Sequence, residues 1–306
     1  MIYDTVLCAH ADDSIIAPLA INSIDHFLPS RKIFLITKSE VFEEIKKKTR
    51  PNIQLYFLDE DELLEGLSLN RIDTILSNRT GTEFRGNWYY QQFLKMAVSQ
   101  LPEIADHYLI WDSDTILMRP LTFFDEEDHI LFNPKTEHHQ PYFDFLQDLL
   151  GLEKQVNHSF IDQHLMINKV FMQELIQAIR EKAPGNNSWY WMILQSVREE
   201  NLRNHGFSEF ETYGNFVVSR YPGVYRPRAI KTGRGGTSTF GLHPSRFDFF
   251  RLIKIGFTAV TFECKQERSV IRILLQKLKS LIFYLKYLWL LDDSKIRQDA
   301  KKIVDG

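Results

Sequence analysis

The chain has 306 residues, of which 44% are hydrophobic, 25% charged and 13% aromatic, enough apolar material for a sizeable core in one large domain or two small ones. A formal net charge of -3 excludes the general basic character of a nucleic-acid binder. The two distant cysteines, Cys8 and Cys264, make neither a disulfide framework nor a zinc site. The start, Met1-Ile2-Tyr3-Asp4, lacks the basic and long apolar regions of a secretory signal, so a cytoplasmic protein with reduced thiols is expected.

Thr5 to Ala9 is a short apolar run that reads as a buried strand. A loop follows at His10-Ala11-Asp12-Asp13, then helical spacing from Ile15 to Phe27, stopped near Pro29. Lys32 to Thr37 reads as a second strand, Glu40 to Lys48 as a charged helix, and Ile53 to Leu58 as a third strand. This alternation predicts an α/β fold with a mostly parallel sheet flanked by helices. A helix is expected over Trp88 to Leu101. Tyr90, Phe93, Leu94, Ala97 and Leu101 share one face, and Trp88, Gln91, Gln92 and Lys95 share the opposite one. Tyr108 to Trp111 is a fourth buried strand, ending in Asp112-Ser113-Asp114. Beyond Pro120 the pattern is less regular. Glycine and proline become denser from Gly214 to Pro244, which suggests loops over a site. From about Thr261 the chain turns into a basic and apolar helical tail.

Asp112-Ser113-Asp114 is the sharpest chemical feature. In open α/β sheets ligands bind beyond the carboxyl ends of strands, and this tripeptide sits at such an end. Two carboxylates ~4 Å apart repel by about 4 kcal/mol at an effective dielectric of 20. A hard divalent cation reverses that sign. Mg²⁺ and Mn²⁺ favour carboxylate oxygens and keep positions open for substrate phosphates. The bland alternative is a solvated acidic turn.

The run from Tyr108 to Leu121, through Asp112-Ser113-Asp114 and Arg119-Pro120, resembles the DxD region of GT-A-fold nucleotide-sugar glycosyltransferases. Gly86 to Lys95 and Ser208 to Phe216 are similar to blocks of bacterial glycosyltransferases of surface-polysaccharide synthesis, lipopolysaccharide or capsule. The resemblance covers roughly residues 1 to 250. It implies a Rossmann-like GT-A domain over residues 1–260, with a nucleotide-binding half to residue 118 and an acceptor half over 119–260. It also implies a nucleotide-sugar donor, a UDP-sugar first among candidates, and Mn²⁺ or Mg²⁺ on Asp112 and Asp114. A late histidine supplies a third metal ligand in some such enzymes, which points to His243. The first strand-loop contacts the nucleotide, which points to Asp12, unless that residue merely caps the helix from Ile15. The stretch around Asp162 and His164 is placed near the acceptor and donor sugar, for acid-base work or simply as a cap and a structural histidine.

Trp88, Gln91, Gln92 and Lys95 offer amides and an ammonium to sugar hydroxyls and phosphate, or form a solvated face. Direct displacement needs a base for the acceptor hydroxyl, and Glu209 and Glu211 are the leading carboxylates. If the segment opens a helix instead, Ser208 and Glu211 form a capping box. In the tail, 261–306, Ile271, Leu274, Leu275, Leu278, Ile282, Leu285 and Trp289 repeat at helical spacing, with Arg268, Arg272, Gln276 and Lys279 on another face. Between Lys265 and Lys286 six basic residues meet one acid, Glu267. That is the pattern of an interfacial helix, too charged to span a bilayer. The expectation is a cytoplasmic enzyme, peripheral on the inner membrane and acting on a glycan or lipid-linked acceptor. A core or dimer helix is the other reading of the tail. A sugar nucleotidyltransferase and a non-catalytic membrane-associated module are the rival functions.

Overall fold

The structure, a computed structural model, describes residues 1–264, 270–288 and 293–304. In chain order, β1 (Asp4–Cys8), a 3₁₀ turn (Ala11–Ile15) and α1 (Ala17–Phe27) lead to β2 (Ile33–Thr37), α2 (Ser39–Lys48) and β3 (Leu55–Asp59). Then come α3 (Leu69–Thr80), α4 (Asn87–Ala97), β4 (His107–Trp111) and the short β5 (Thr115–Leu117). The middle of the chain forms β6 (Ile130–Phe132), α5 (Gln140–Leu150), β7 (His164–Asn168), α6 (Lys169–Arg180), α7 (Trp189–Ser196), α8 (Glu199–Leu202) and α9 (Glu209–Arg220). The last part holds β8 (Tyr225–Pro227), β9 (Thr232–Gly233), α10 (Gly236–Phe240), α11 (Arg246–Lys254), β10 (Ala259–Thr261), α12 (Val270–Tyr287) and α13 (Ser294–Val304).

This is the α/β class expected from the sequence. Five strands form a central, mostly parallel sheet in the order β3-β2-β1-β4-β7. Every residue of β1 and β2 is buried, as strands covered on both faces require; β2 reads as a near-continuous apolar run, and β1 does so after Asp4 and Thr5. β1 and β4 run parallel, with Asp4 opposite Tyr108 and Val6 opposite Ile110. The order reverses between these two strands: β2 and β3 lie to one side of β1, β7 to the other side of β4. Loops leaving the carboxyl ends of strands at such a reversal diverge, and a crevice opens between them.

The chain divides into two compact units. One comprises Met1–Cys8, Leu58–Ile110 and Phe123–Arg228. Its core buries Phe93, Met96, Tyr108, Phe207, Tyr213 and Phe216. Within it, Gly214 of α9 faces the ring of Phe160, which stacks on Phe132 at 5.0 Å between centroids. A Cβ at Gly214 would press into that ring well inside van der Waals contact. Gly214→Ala is therefore expected to destabilise the fold by about 1–3 kcal/mol, read as a lower urea midpoint at unchanged m-value.

The second unit comprises Ala9–Phe57, Trp111–Thr122 and Ala229–Gly306. Its core buries Ile16, Ile21, Ile24, Trp111, Ile116, Phe249 and Phe262. A three-stranded sheet, β5-β10-β9, runs through it. β10 lies antiparallel to β5, with Thr261 opposite Thr115, and parallel to β9. The tail belongs to this unit. α13 packs on α1 and α11; His26 Nε2 lies 2.9 Å from Asp299 Oδ1, and Asn22 Nδ2 donates to the Ile303 carbonyl. Arg268, Trp289, Lys265 and Glu267 of the tail pattern lie outside the described residues.

Candidate functional site

Two of the loops that leave the sheet at its reversal point carry carboxylates. After β1 the chain winds directly into the 3₁₀ turn. The His10 side chain accepts from the Asp12 amide, and Asp13 reaches back to the His10 amide at 3.0 Å. The expectation that Asp12 caps a helix is corrected: Asp13 closes the capping box, because the turn begins right after His10. Asp12 is exposed. After β4 the chain makes a tight turn, with the Thr115 amide bonded to the Asp112 carbonyl at 3.0 Å. The Trp111 indole nitrogen donates to the Thr115 carbonyl at 2.7 Å, which locks the turn from beneath. Ser113 Oγ donates to Asp13 Oδ2 at 2.9 Å and ties the two loops together.

A third segment joins them through β10. The Phe262 amide bonds the Asp114 carbonyl at 2.8 Å, and the Thr115 and Thr261 hydroxyls meet at 2.8 Å. Glu263 and Cys264 follow at once, and Cys264 Sγ reaches the Asp12 carbonyl at 3.1 Å. The result is a cluster of Asp13, Asp112, Asp114 and Glu263, of which the sequence pattern displayed only the Asp112–Asp114 pair. Burial, then the charges of Asp112, Asp13 and Glu263, push the Asp114 carboxyl up to about 8. Asp13 is also raised, chiefly by burial. The Cys264 thiol senses the same field: burial first, then Asp13, Asp114 and Asp12, push it up to about 11.

In the first unit a different polar cluster is buried. α4 does not present a solvated face there, since Gln92 and Lys95 are buried and Gln91 is half-buried. α9 packs against this face, and Lys95 Nζ lies 3.1 Å from Glu209 Oε1 and 5.0 Å from the Phe210 ring centre. Removing the ammonium from beside a buried carboxylate is costly. Lys95→Met is expected to destabilise the protein by about 3–5 kcal/mol, and Lys95→Met with Glu209→Gln to recover part of that loss in the same urea titration.

α9 does open at Ser208, whose Oγ accepts from the Glu211 amide. Glu211 does not complete the capping box. Its carboxylate accepts from Ser159 Oγ, from the Phe160 amide at 3.2 Å and from Asn215 Nδ2 at 3.0 Å, and so fixes the 159–160 segment against the helix. Burial raises its pKa. Asp162 accepts from Asn133 Nδ2 at 2.7 Å and from the Gln163 amide, with Lys135 Nζ at 3.2 Å. His164 stands beside it, Nδ1 3.9 Å from Asp162 Oδ2, with Arg228 Nη2 3.4 Å from its Nε2. Burial drives His164 down to about 4 against the opposing pull of Asp162, so the imidazole is neutral at physiological pH. Asn133 and Lys135 were not marked by the sequence, because each acquires its role only through a distant partner.

Trp88 is not among these buried groups. It is 37% exposed and packs on His205 at the mouth of a cavity. His243 is exposed, and its carbonyl accepts from Lys277 Nζ. No group of three His, Cys, Asp or Glu side chains with metal-binding geometry occurs among the described residues, so His243 is not gathered with Asp112 and Asp114 into a three-ligand set.

A sequence model of DUF6492, described as a family of unknown function, matches residues 6–224. No curated protein matches the chain. The similar solved structures include glycosyltransferases. Mouse xyloside xylosyltransferase 1 in its apo form is 12% identical over 76% of this chain and 87% of its own, with a TM-score of 0.39. The galactosyltransferase LgtC, in complex with donor and acceptor sugar analogs, is 12% identical over 85% and 86%, with a TM-score of 0.43. The apo bifunctional glycosyltransferase WbbM is 12% identical over 88% of this chain, with a TM-score of 0.42, and the chain spans 46% of its length.

Proposed function

The chain belongs to the DUF6492 family, and we propose that it is a metal-dependent GT-A-type glycosyltransferase that moves a sugar from a nucleotide-sugar donor to a glycan or lipid-linked acceptor. The observation that carries this reading is the cluster of Asp13, Asp112 and Asp114 beyond the carboxyl ends of the parallel strands β1 and β4, joined by Glu263 after β10. Hard oxygen donors that raise one another's proton affinity fit Mn²⁺ or Mg²⁺. Mg²⁺ in particular is commonly held by one or two carboxylates while it keeps positions for water and substrate phosphate. Asp112 and Asp114 would hold the ion, and it would neutralise charge on a departing diphosphate.

The residues of the chain take the remaining parts. Asp12, exposed in the loop after β1, is proposed to accept a hydrogen bond from base or ribose of a UDP-sugar. Ser113 holds Asp13 and keeps the two acidic loops in register. His243 is proposed as a third ligand, which requires the loaded enzyme to bring it to Asp112 and Asp114, with which it is not gathered here. In the other unit, Gln91, Gln92, Lys95 and His164 are proposed sugar and phosphate contacts. Glu209, Glu211 and Asp162 are the proposed carboxylates for the base, each held by a partner here: Glu209 by Lys95, Glu211 by Ser159 and Asp162 by Lys135. His164 beside Asp162 is neutral, and the charge that faces this carboxylate is the Lys135 ammonium.

The proposed setting is bacterial surface-polysaccharide synthesis, lipopolysaccharide or capsule, at the cytosolic face of the inner membrane. No helix among the described residues is long and apolar enough to cross a membrane. The support for peripheral contact is α12, whose outer face is apolar, basic and open to solvent. The test of transfer chemistry is a thermal-shift and hydrolysis screen of nucleotide-sugars with and without Mn²⁺. One nucleotide-sugar should stabilise the protein and be hydrolysed only with metal. Indifference to every nucleotide and metal would overturn the reading.

A further inference from the structure

A cavity of about 380 Å³ opens beside the first turn of α4, within the range of roughly 300–1,000 Å³ typical of small-ligand sites. It lies wholly in the first unit and shares no residue with the acidic cluster. Its floor is apolar, made by the buried rings of Phe84 and Tyr89. Its wall is the Trp88 indole. The indole nitrogen donates to the Phe207 carbonyl at 3.2 Å, and the ring packs on His205 at 4.6 Å with a 47° tilt. The polar atom of Trp88 is thus already satisfied inside the protein, and what it offers outward is a fixed ring face. His205 takes a left-handed backbone, φ 51°, which is costly for a residue with a Cβ.

The rim carries two guanidinium groups, Arg203 and Arg85, and one carboxylate, Glu83. Arg203 lies over the Phe84 ring at 4.7 Å, and its Nη2 donates to Thr82 Oγ1 at 2.7 Å and to the Glu83 carbonyl at 3.1 Å. The guanidinium is therefore held in place with only one of its three nitrogens engaged in these bonds. Arg85 stands nearby, 3.9 Å from Glu83 in a pair so exposed that water screens it.

A fixed, half-open indole beside two guanidinium groups matches a ring with an apolar face and an anionic substituent. His205 already covers one face of the indole at 4.6 Å, so a ligand meets a single open ring face, and the slot between two rings that would favour a flat nucleobase is absent. We propose that this cavity binds an anionic sugar residue, a pyranose bearing a carboxylate or a phosphate, with its C–H face on Trp88 and its charge on Arg203 and Arg85. This site stands independently of the metal-dependent transfer reading.

The test is NMR titration of the full chain, in buffer containing EDTA, with glucuronic acid, glucose 6-phosphate, glucose and uridine monophosphate. Both anionic sugars should bind at least tenfold tighter than glucose, and comparison of the two tells carboxylate from phosphate preference. Arg203→Gln should weaken them about tenfold and erase the preference over glucose, as the loss of a charge-assisted hydrogen bond predicts. Trp88→Ala should remove binding of all three sugars, with melting temperatures confirming that both variants fold. Asp114→Asn should change nothing here, which separates failure of this site from failure of the acidic cluster. Equal binding of glucose, tighter binding of uridine monophosphate, or no binding at tens of millimolar sugar would each overturn the proposal.

Discussion

Asp114→Asn is expected to cut sugar transfer by about 10³-fold while making the metal-free protein more stable at neutral pH. The rate loss corresponds to ~4 kcal/mol of forfeited charge stabilisation at the leaving diphosphate. The stability gain follows from the direction of the pKa shift. Asp114 is raised from 3.8 to about 8 in the folded protein, so the fold binds this proton more tightly than the unfolded chain does. Ionising Asp114 therefore costs folding free energy. The cost is absent below about pH 4, grows as pH rises, and levels off above about pH 8. Asparagine cannot ionise. The difference in melting temperature, variant minus wild type, should widen in favour of the variant from pH 5 to pH 8 in the presence of a chelator. Mn²⁺ should reverse it, because bound metal stabilises only the form that retains the carboxylate. A variant that melts below the wild type at pH 8 without metal, and that still transfers sugar, would dispose of the metal reading.

The acidic turn was legible because everything needed to see it is local. Tyr108 to Trp111 is an apolar run of strand length, and the two aspartates stop it abruptly. Glu263 was not legible. It reaches the cluster through pairing of β10 with β5, exemplified by Thr115 and Thr261, 146 residues apart. No local pattern announces such pairing, and the run before Glu263 merged into the tail when read along the chain. Asp13 was visible as a residue but not in its role, which depends on a Ser113 hydroxyl one hundred residues further on. Lys95 misled for a different reason. A lysine opposite an apolar helical face normally points to water, and only the arrival of Glu209 on α9 makes its burial tolerable. The capping signal at Ser208 was legible because the side chain bonds within its own first turn, yet the fate of the Glu211 carboxylate was settled by Ser159. The sheet class could be read from strand runs. The two units could not, since each is stitched from three separated segments.

Leu274→Asp with Leu278→Asp is expected to abolish binding to anionic vesicles while leaving the fold intact. α12 has two unlike faces. On the inner one Ser280 is buried, Tyr284 packs on Phe247 at 4.8 Å and on Phe250 at 5.1 Å, and Arg251 Nη1 bonds Gln276 at 3.3 Å. On the outer one Val270, Ile271, Leu274, Leu275, Leu278, Ile282 and Leu285 are each more than half exposed. So much apolar surface on one helix is a liability in water unless something covers it. The charges say what does. Arg272, Lys279 and Lys286 recur every seven residues along the exposed side, and the helix contains no acid. A second copy of the same helix would bring these cations together, whereas an anionic leaflet attracts them. Two leucines contribute about 3–6 kcal/mol to insertion. Arg272→Gln, Lys279→Gln and Lys286→Gln together should cost about 3 kcal/mol, and only on vesicles that carry anionic lipid. Truncation is a poor substitute for these variants, because it would strip α13 from α1 and expose the aromatic side of α11. Co-sedimentation with phosphatidylglycerol vesicles, beside sedimentation velocity without lipid, reads both alternatives. Vesicle binding that the aspartates leave unchanged, or a soluble dimer that they break, would move the face from membrane to partner.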